Sequence, residues 1–293
     1  MILIIMFFSL AACGQKDEAQ PKEEKQAAKT EKVLKIGALP DQNAAVIEKG
    51  MTAVAEHISK ETGLKVEFVP SVDNPALVTG FQRGELHLAW FGGLTSVQAR
   101  NLVPDAESIV QRPRDAEFES VFITQTDSGI NSLEDLKGKS FTFGSETSTS
   151  GRLMPHYFLL EAGIDPSKDF NGQPNFSGGH DTTYKLVEAG SYQAGVLNIS
   201  VWEAAVKEGK VDTNKVKVFY TTPPYYDYNW TVNSNVDEEF GEGTTEKIKA
   251  ALLSMPGESQ EIADLFQTDK FIETKNENYD KIEQVAKEIE IIK

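Results

Sequence analysis

The chain has 293 residues, of which 40% are hydrophobic and 25% charged, enough apolar material for two modest lobes rather than one core. Its net charge of −16 excludes a nucleic-acid binder, which needs a basic surface. An anionic guest would have to be held by local dipoles and neutral donors, against a field that salt screens within about 10 Å.

Residues 1–13 stand apart from the fold. Met1 to Ala12 is apolar and runs into Leu10-Ala11-Ala12-Cys13. The run is too short to span a membrane. It resembles a bacterial lipoprotein signal with its lipobox, which implies that Cys13 is the lipid-modified first residue of the mature chain and that the protein is tethered to the outer face of the cell membrane. It departs from that pattern in one respect: no positive charge precedes the apolar stretch. Cys13 is the only cysteine, so no intramolecular disulfide is available. Residues 14–32, rich in Lys, Glu, Gln and Ala, have no apolar period and read as a flexible tether.

Residues 33–122 read as the first part of lobe 1. Val33 to Pro40 is a strand, and Asp41-Gln42-Asn43 opens a helix through Val46, Met51, Val54 and Ile58 that Gly63 ends. Leu64 to Val69 alternates as a second strand. A helix from Asn74-Pro75 to Gly84 follows, and then a third strand, Leu86 to Phe91. Gly92-Gly93 breaks that strand before a helix over Leu94 to Leu102. Strand–helix alternation with short turns predicts α/β architecture with a parallel sheet.

Residues 123–220 read as lobe 2, with the chain crossing between lobes near Phe122-Ile123-Thr124 and again near Val218-Phe219-Tyr220. Ser132 to Gly138 is a short helical turn, and Phe141 to Phe143 a short strand. Gly144 breaks it, and Thr147-Ser148-Thr149-Ser150-Gly151 leads into an apolar helix that Gly163 ends, with Pro155 in or near its first turn. A strand running through hydroxyls and glycine into a helix makes an anion seat, because the first helical amides are unpaired and the macrodipole is positive there. Plain N-capping is the alternative; a cap needs one hydroxyl, and this loop offers more. Asp165 to Phe176 is a polar connection. Gly178-Gly179-His180-Asp181 then leads into a helix over Thr182 to Ala189, and a strand follows that ends at Asn198. The helix, glycine turn and strand ending at Asn198 echo those ending at Trp90, which suggests two similar halves with a cleft between them.

Residues 221–293 read as a return to lobe 1. Pro223 to Trp230 carries aromatic and amide side chains, Tyr226 among them, that either face the cleft or pack the hinge. Helices over Thr244 to Met255 and Ser259 to Leu265, and the tail from Tyr279, close on the first lobe.

Ser148-Thr149-Ser150-Gly151 followed by Pro155, then Gly179-His180-Asp181, and Leu88-Ala89-Trp90-Phe91-Gly92 resemble the phosphonate-binding family of ABC-transporter substrate-binding proteins. The similarity runs from Val33 to Trp230. It implies the two-lobed type II periplasmic-binding fold, closing over a phosphonate, phosphate, phosphite or related oxyanion, with permease and ATPase subunits as partners. Carried over by position, Ser148, Thr149, Ser150 and His180 hold the anionic oxygens. Two positions depart from aminoalkylphosphonate-binding members: Asn74 stands where they have a tyrosine, and Asn198-Ile199-Ser200 where they have a carboxylate for the ligand amine. Both count against an amino-bearing ligand. Pro40-Asp41-Gln42-Asn43 and Tyr225-Tyr226-Asp227-Tyr228 look most like a subgroup described as selenate-binding.

Asp41, Trp90, Phe91, Gly92, Asn198 and Tyr226 complete the candidate ligand-binding set, since cleft residues sit beyond the carboxyl ends of strands. Asp41 is informative. A carboxylate in the cleft accepts a hydrogen bond from a protonated oxyanion and repels a fully ionised one such as selenate; as a helix cap it says nothing. Arg152 either reaches the anion or makes a surface ion pair. His57, His87 and His156 lack metal-ligand spacing, and no cofactor or metal is expected. A monomeric receptor for an importer is the leading reading. A sensor subunit for a membrane histidine kinase and a Ser150/His180 hydrolase are the alternatives; the second lacks a Gly-x-Ser-x-Gly elbow and an acid placed to orient the histidine.

Overall fold

The computed structural model describes residues 32–255 and 257–292. The signal-like run, Cys13 and all of the tether but Lys32 lie outside the described residues. The strands form two mixed sheets. In chain order the elements are β1 (Val33–Ala38), α1 (Ala44–Thr62), β2 (Lys65–Phe68), α2 (Asn74–Gln82), β3 (Leu88–Phe91), α3 (Gly93–Leu102), β4 (Glu107–Gln111), β5 (Ser120–Gln125), β6 (Phe141–Phe143), α4 (Met154–Glu161), α5 (Pro166–Asp169), β7 (Asn175–Phe176), α6 (His180–Glu188), β8 (Ala194–Asn198), α7 (Ile199–Lys207), β9 (Val216–Thr221), β10 (Asn229–Val232), α8 (Val236–Phe240), α9 (Thr244–Ser254), α10 (Gln260–Phe266), β11 (Ile272–Glu273) and α11 (Asp280–Glu288).

The first sheet has the order β11-β4-β10-β3-β1-β2, the second β7-β6-β8-β5-β9. In the first sheet β1 lies between β2 and β3, in the second β6 between β7 and β8, and both trios are parallel. Each sheet also takes strands in the opposite sense. β10 runs antiparallel between β3 and β4, and β5 antiparallel between β8 and β9. The expected parallel sheet is thus a mixed one, because a strand from the far side of each crossing inserts into it.

Both expected crossings move. Phe122 to Thr124 lies inside β5 and Val218 to Tyr220 inside β9, each paired within the second sheet. The chain passes between the sheets before Ser120 and after Thr221. The boundary expected between residues 122 and 123 therefore falls within a strand. Apolar alternation announces a strand but not the sheet it joins. The two crossing segments are themselves paired, with Phe118 and Tyr225 exchanging backbone hydrogen bonds of 2.8 and 2.9 Å. Beside them Arg112 and Asp115 form a buried ion pair at 2.6 Å, and the guanidinium also donates to the Phe266 carbonyl at 3.0 Å.

The largest core packs around the first sheet, with Phe81, Phe91 and Trp230 fully buried. The second sheet has a core on each face. Phe122 and Val196 point into one, Val121, Ile123 and Leu197 into the other, following the two-residue alternation of strands. Helices α9 and α10 pack on α1, and α11 on α3, so the C-terminal segment covers the first sheet. No helix among the described residues is long and apolar enough to cross a membrane.

Candidate anion-binding site

Loops from both sheets meet in a pocket of about 340 Å3 of non-atom space, counting its open mouth. The first sheet contributes Asp41 after β1, Asn74 at the start of α2, Gly92 and Thr95 at the start of α3, and Asp227 and Tyr228 ahead of β10. The second contributes Ser145 and the Thr147–Ser150 loop after β6, and Gly178, Gly179 and His180 at the start of α6.

The hydroxyl loop divides its work. Ser148 caps the turn that follows, its Oγ accepting from the Gly151 amide at 2.9 Å. That turn, Thr149–Leu153, is π-helical and feeds α4, with Pro155 in the first turn, where its missing amide costs nothing. Thr149 Oγ1 reaches the other sheet and accepts from the Leu94 amide at 2.9 Å. Ser150 Oγ is buried and, among the described residues, has no partner within hydrogen-bond geometry. One hydroxyl thus caps, one joins the sheets, and one faces no partner within hydrogen-bond geometry among the described residues. Gly151 lets His180 lie close: a Cβ there would come within 2.9 Å of Ser148 Oγ and 3.0 Å of His180 Cε1.

His180 is the first residue of α6, two positions earlier than expected, and it is buried. Its Nδ1 accepts the Asn198 amide at 3.3 Å. Burial pushes its pKa down to about 4. The ring is therefore neutral at physiological pH, and with Nδ1 accepting, its hydrogen sits on Nε2 as a donor. Gly179 precedes α6 without a side chain to cap it, so the first amides of this helix remain unpaired.

Helix α3 differs. Gly92 also lacks a capping side chain, but here other segments supply the caps: Asp227 Oδ1 accepts the Gly93 amide at 2.9 Å, beside the Thr149 bond to Leu94. Asp227 Oδ2 is buried and unpartnered within hydrogen-bond geometry. Burial raises this carboxyl to about 7, against the smaller opposing effects of the Gly93 amide and the nearby Thr149 and Ser150 hydroxyls.

Asp41 does line the pocket, and it is not the helix cap. Asn43 caps α1, accepting from the Ala45 and Val46 amides. Asp41 Oδ2 instead accepts the Tyr228 hydroxyl at 2.6 Å, and that hydroxyl oxygen accepts from Asn198 Nδ2 at 3.0 Å. Burial raises the Asp41 carboxyl, while Tyr228 and Arg112 pull the other way.

Of the sequence-predicted set, Asp41, Gly92, Ser148, Thr149, Ser150 and His180 share this pocket. Trp90 and Asn198 line a second cavity that also borders Asp41 and Tyr228. Two expectations are corrected. Phe91 is core, fully buried and edge-on to Phe81, because the alternation of β3 turns it away from the cleft. Tyr226 packs against Tyr279; its neighbours Asp227 and Tyr228 line the pocket instead. Arg152 neither lines the pocket nor makes an ion pair within 4 Å among the described residues. Its guanidinium lies 4.8 Å from the Phe143 ring centroid and 5.5 Å from that of Phe176. His57, His87 and His156 lie outside the pocket. Reading the sequence missed the roles of Asp227, Tyr228 and Ser145. The one hint was a lone acid among aromatics in the returning segment. Asn74, read as a helix start and as a departure from the family pattern, lines the pocket.

The pocket gathers hydroxyl, imidazole and helix-amide donors together with two carboxyl groups, those of Asp41 and Asp227. A model of the family described as "ABC transporter, phosphonate, periplasmic substrate-binding protein" matches residues 36–279. The chain belongs to this family. As an ABC-transporter substrate-binding protein it works outside the cytoplasm. It is 40% identical over 272 residues to the probable ABC transporter phosphite binding protein PhnD1 of Prochlorococcus marinus, covering 89% of this chain and 91% of that one. It is 27% identical to the phosphate-import protein PhnD of Mycolicibacterium smegmatis, covering 72% and 68%. Among solved structures, PhnD1 from Prochlorococcus marinus in complex with methylphosphonate superimposes with a TM-score of 0.85 over 89% of this chain and 99% of that chain. The two-lobed α/β periplasmic-binding fold is the observed one.

Proposed function

We propose that this substrate-binding protein captures a small phosphorus oxyanion bearing an acidic proton, such as phosphite, phosphate or methylphosphonate, between its two sheets and delivers it to an ABC importer. The carrying observation is that Ser150 Oγ and Asp227 Oδ2 are both buried in one pocket and, among the described residues, neither has a partner within hydrogen-bond geometry. Buried polar groups without partners are rare and costly, and a guest that donates to one and accepts from the other satisfies both. The functions named for two relatives of this chain, phosphite binding and phosphate import, agree with this chemistry.

The same carboxyl argues against selenate. In their singly ionised forms, phosphite and phosphonates bring a proton to Asp227. Sulfate and selenate bring none at neutral pH, so their binding requires that Asp227 be protonated first, which becomes harder above its pKa of about 7. Cys13 is proposed as a lipid attachment that keeps a monomeric receptor at the membrane, the sequence before it being the basis. A hydrolase is disfavoured by its relatives, which are solute-binding proteins, and by His180, whose Nδ1 meets an amide rather than a carboxylate.

Calorimetric titration tests the ligand class. At about pH 7, where the singly ionised forms of the phosphorus oxyanions are still abundant, phosphite and methylphosphonate should bind more tightly than selenate. Selenate binding as tight as phosphite would overturn the proposal.

A further inference from the structure

Tyr228 stands between two cavities. It and Asp41 border both the anion pocket and a second cavity of similar size, lined also by Trp90, Arg112, Ser200 and Gln267. The Tyr228 ring stacks on Trp90 at 15°, with centroids 5.7 Å apart, and the Arg112 guanidinium lies 5.2 Å from its centroid. Its hydroxyl is held twice, donating to Asp41 at 2.6 Å and accepting from Asn198 at 3.0 Å. Asp41 and Tyr228 belong to loops of the first sheet, and Asn198 ends a strand of the second. The wall is thus completed by groups from both sides of the cleft. Behind it Ser200 Oγ is buried without a partner. Arg112 is already neutralised by Asp115, so the second cavity offers polar and aromatic surface but no unpaired cation.

Resting on the proposed oxyanion function, we infer that Asp41 is a specificity-determining positioning residue. By pinning the Tyr228 hydroxyl, it keeps the second cavity walled off, restricting the guest to a phosphorus oxyanion with a small fourth substituent. Freed of that tie, the tyrosine can swing and admit a longer alkyl chain into the space beside Trp90 and Ser200. Specificity of this kind comes from excluding the larger competitor rather than from an added contact to the smaller one.

The test is calorimetry with phosphite, methylphosphonate and n-propylphosphonate. The wild type should bind propylphosphonate at least about tenfold more weakly than methylphosphonate, the scale of a misfitted methylene. Asp41→Ala and Tyr228→Phe should each narrow that ratio by about tenfold. Asp41→Asn keeps an oxygen that accepts from Tyr228 and should retain the wild-type ratio, which a merely structural role for the carboxylate would not require. Should Asp41→Ala fail to fold, Tyr228→Phe decides. A wild type that binds both phosphonates equally, or a ratio unchanged in the variants, overturns the inference. Failure of all three anions to bind the wild type overturns the proposed function itself, and this inference with it.

Discussion

The Gly93 amide donates to Asp227 Oδ1 at 2.9 Å, across a separation of 134 residues, while Oδ2 of the same carboxylate stays buried and unpaired. One side chain therefore caps helix α3 and presents an acceptor to the pocket. Burial without full compensation is what holds its proton to about pH 7. Such a group burdens the empty protein, and that burden is measurable.

Asp227 holds its proton to about 7 in the fold, against 3.8 for the ordinary carboxyl. The folded state thus binds the proton more tightly, so this group's contribution is fully present below about pH 3.8 and is lost as pH rises to about 7. Asp227→Asn keeps the acceptor for Gly93 and removes the charge. At about pH 8 the empty variant should be more stable than wild type, by on the order of 2–4 kcal/mol, with no difference near pH 4. Urea unfolding at both pH values checks this.

His180 titrates in the opposite sense. Its folded pKa of about 4 lies below the ordinary 6.5, so its contribution is present above about 6.5 and lost as pH falls to about 4. His180→Gln should flatten the acid loss of stability in that window. It should also weaken phosphite binding by about tenfold to a hundredfold, the worth of a hydrogen bond to a charged group. Thermal unfolding from pH 4 to 7 and calorimetry read the two effects separately.

Ser150→Ala separates binding from folding. The hydroxyl has no partner within hydrogen-bond geometry among the described residues, so its loss should leave the unfolding midpoint unchanged or slightly raised. Phosphite affinity should fall about tenfold or more. A destabilised variant with full affinity would mean that Ser150 serves packing alone.

Gly151→Ala should reduce both stability and affinity. The added methyl meets Ser148 Oγ at 2.9 Å and the His180 ring at 3.0 Å, and the Gly144 backbone at 3.2 Å prevents an easy retreat. The cap and the imidazole must both shift. Thermal shift with and without methylphosphonate reports each loss.

Much of this was legible because local chemistry marks it. Asn43 and Gly63 punctuate helix α1, and the hydroxyl loop and His180 announce helix starts in the cleft. What stayed hidden depends on distant partners. β4 and β10 are short strands whose residues pair with chain far away in sequence, so nothing local says they share a sheet. Helix α7 follows Asn198 without a break, and Asn198 Oδ1 caps it by accepting the Val201 amide at 2.7 Å. Asp227 carries no periodic signal at all. Its role arises only when the returning segment sets it against the start of α3.

The central claim is that Ser150, His180 and Asp227 together replace the water around a protonated phosphorus oxyanion. Calorimetric titration of phosphite into the wild type and into the Ser150→Ala, His180→Gln and Asp227→Asn variants, at about pH 7, tests it most directly. The account predicts saturable one-to-one binding to the wild type and weakened binding in every variant. Wild-type affinity retained in all three variants, or no phosphite binding to the wild type, would contradict it.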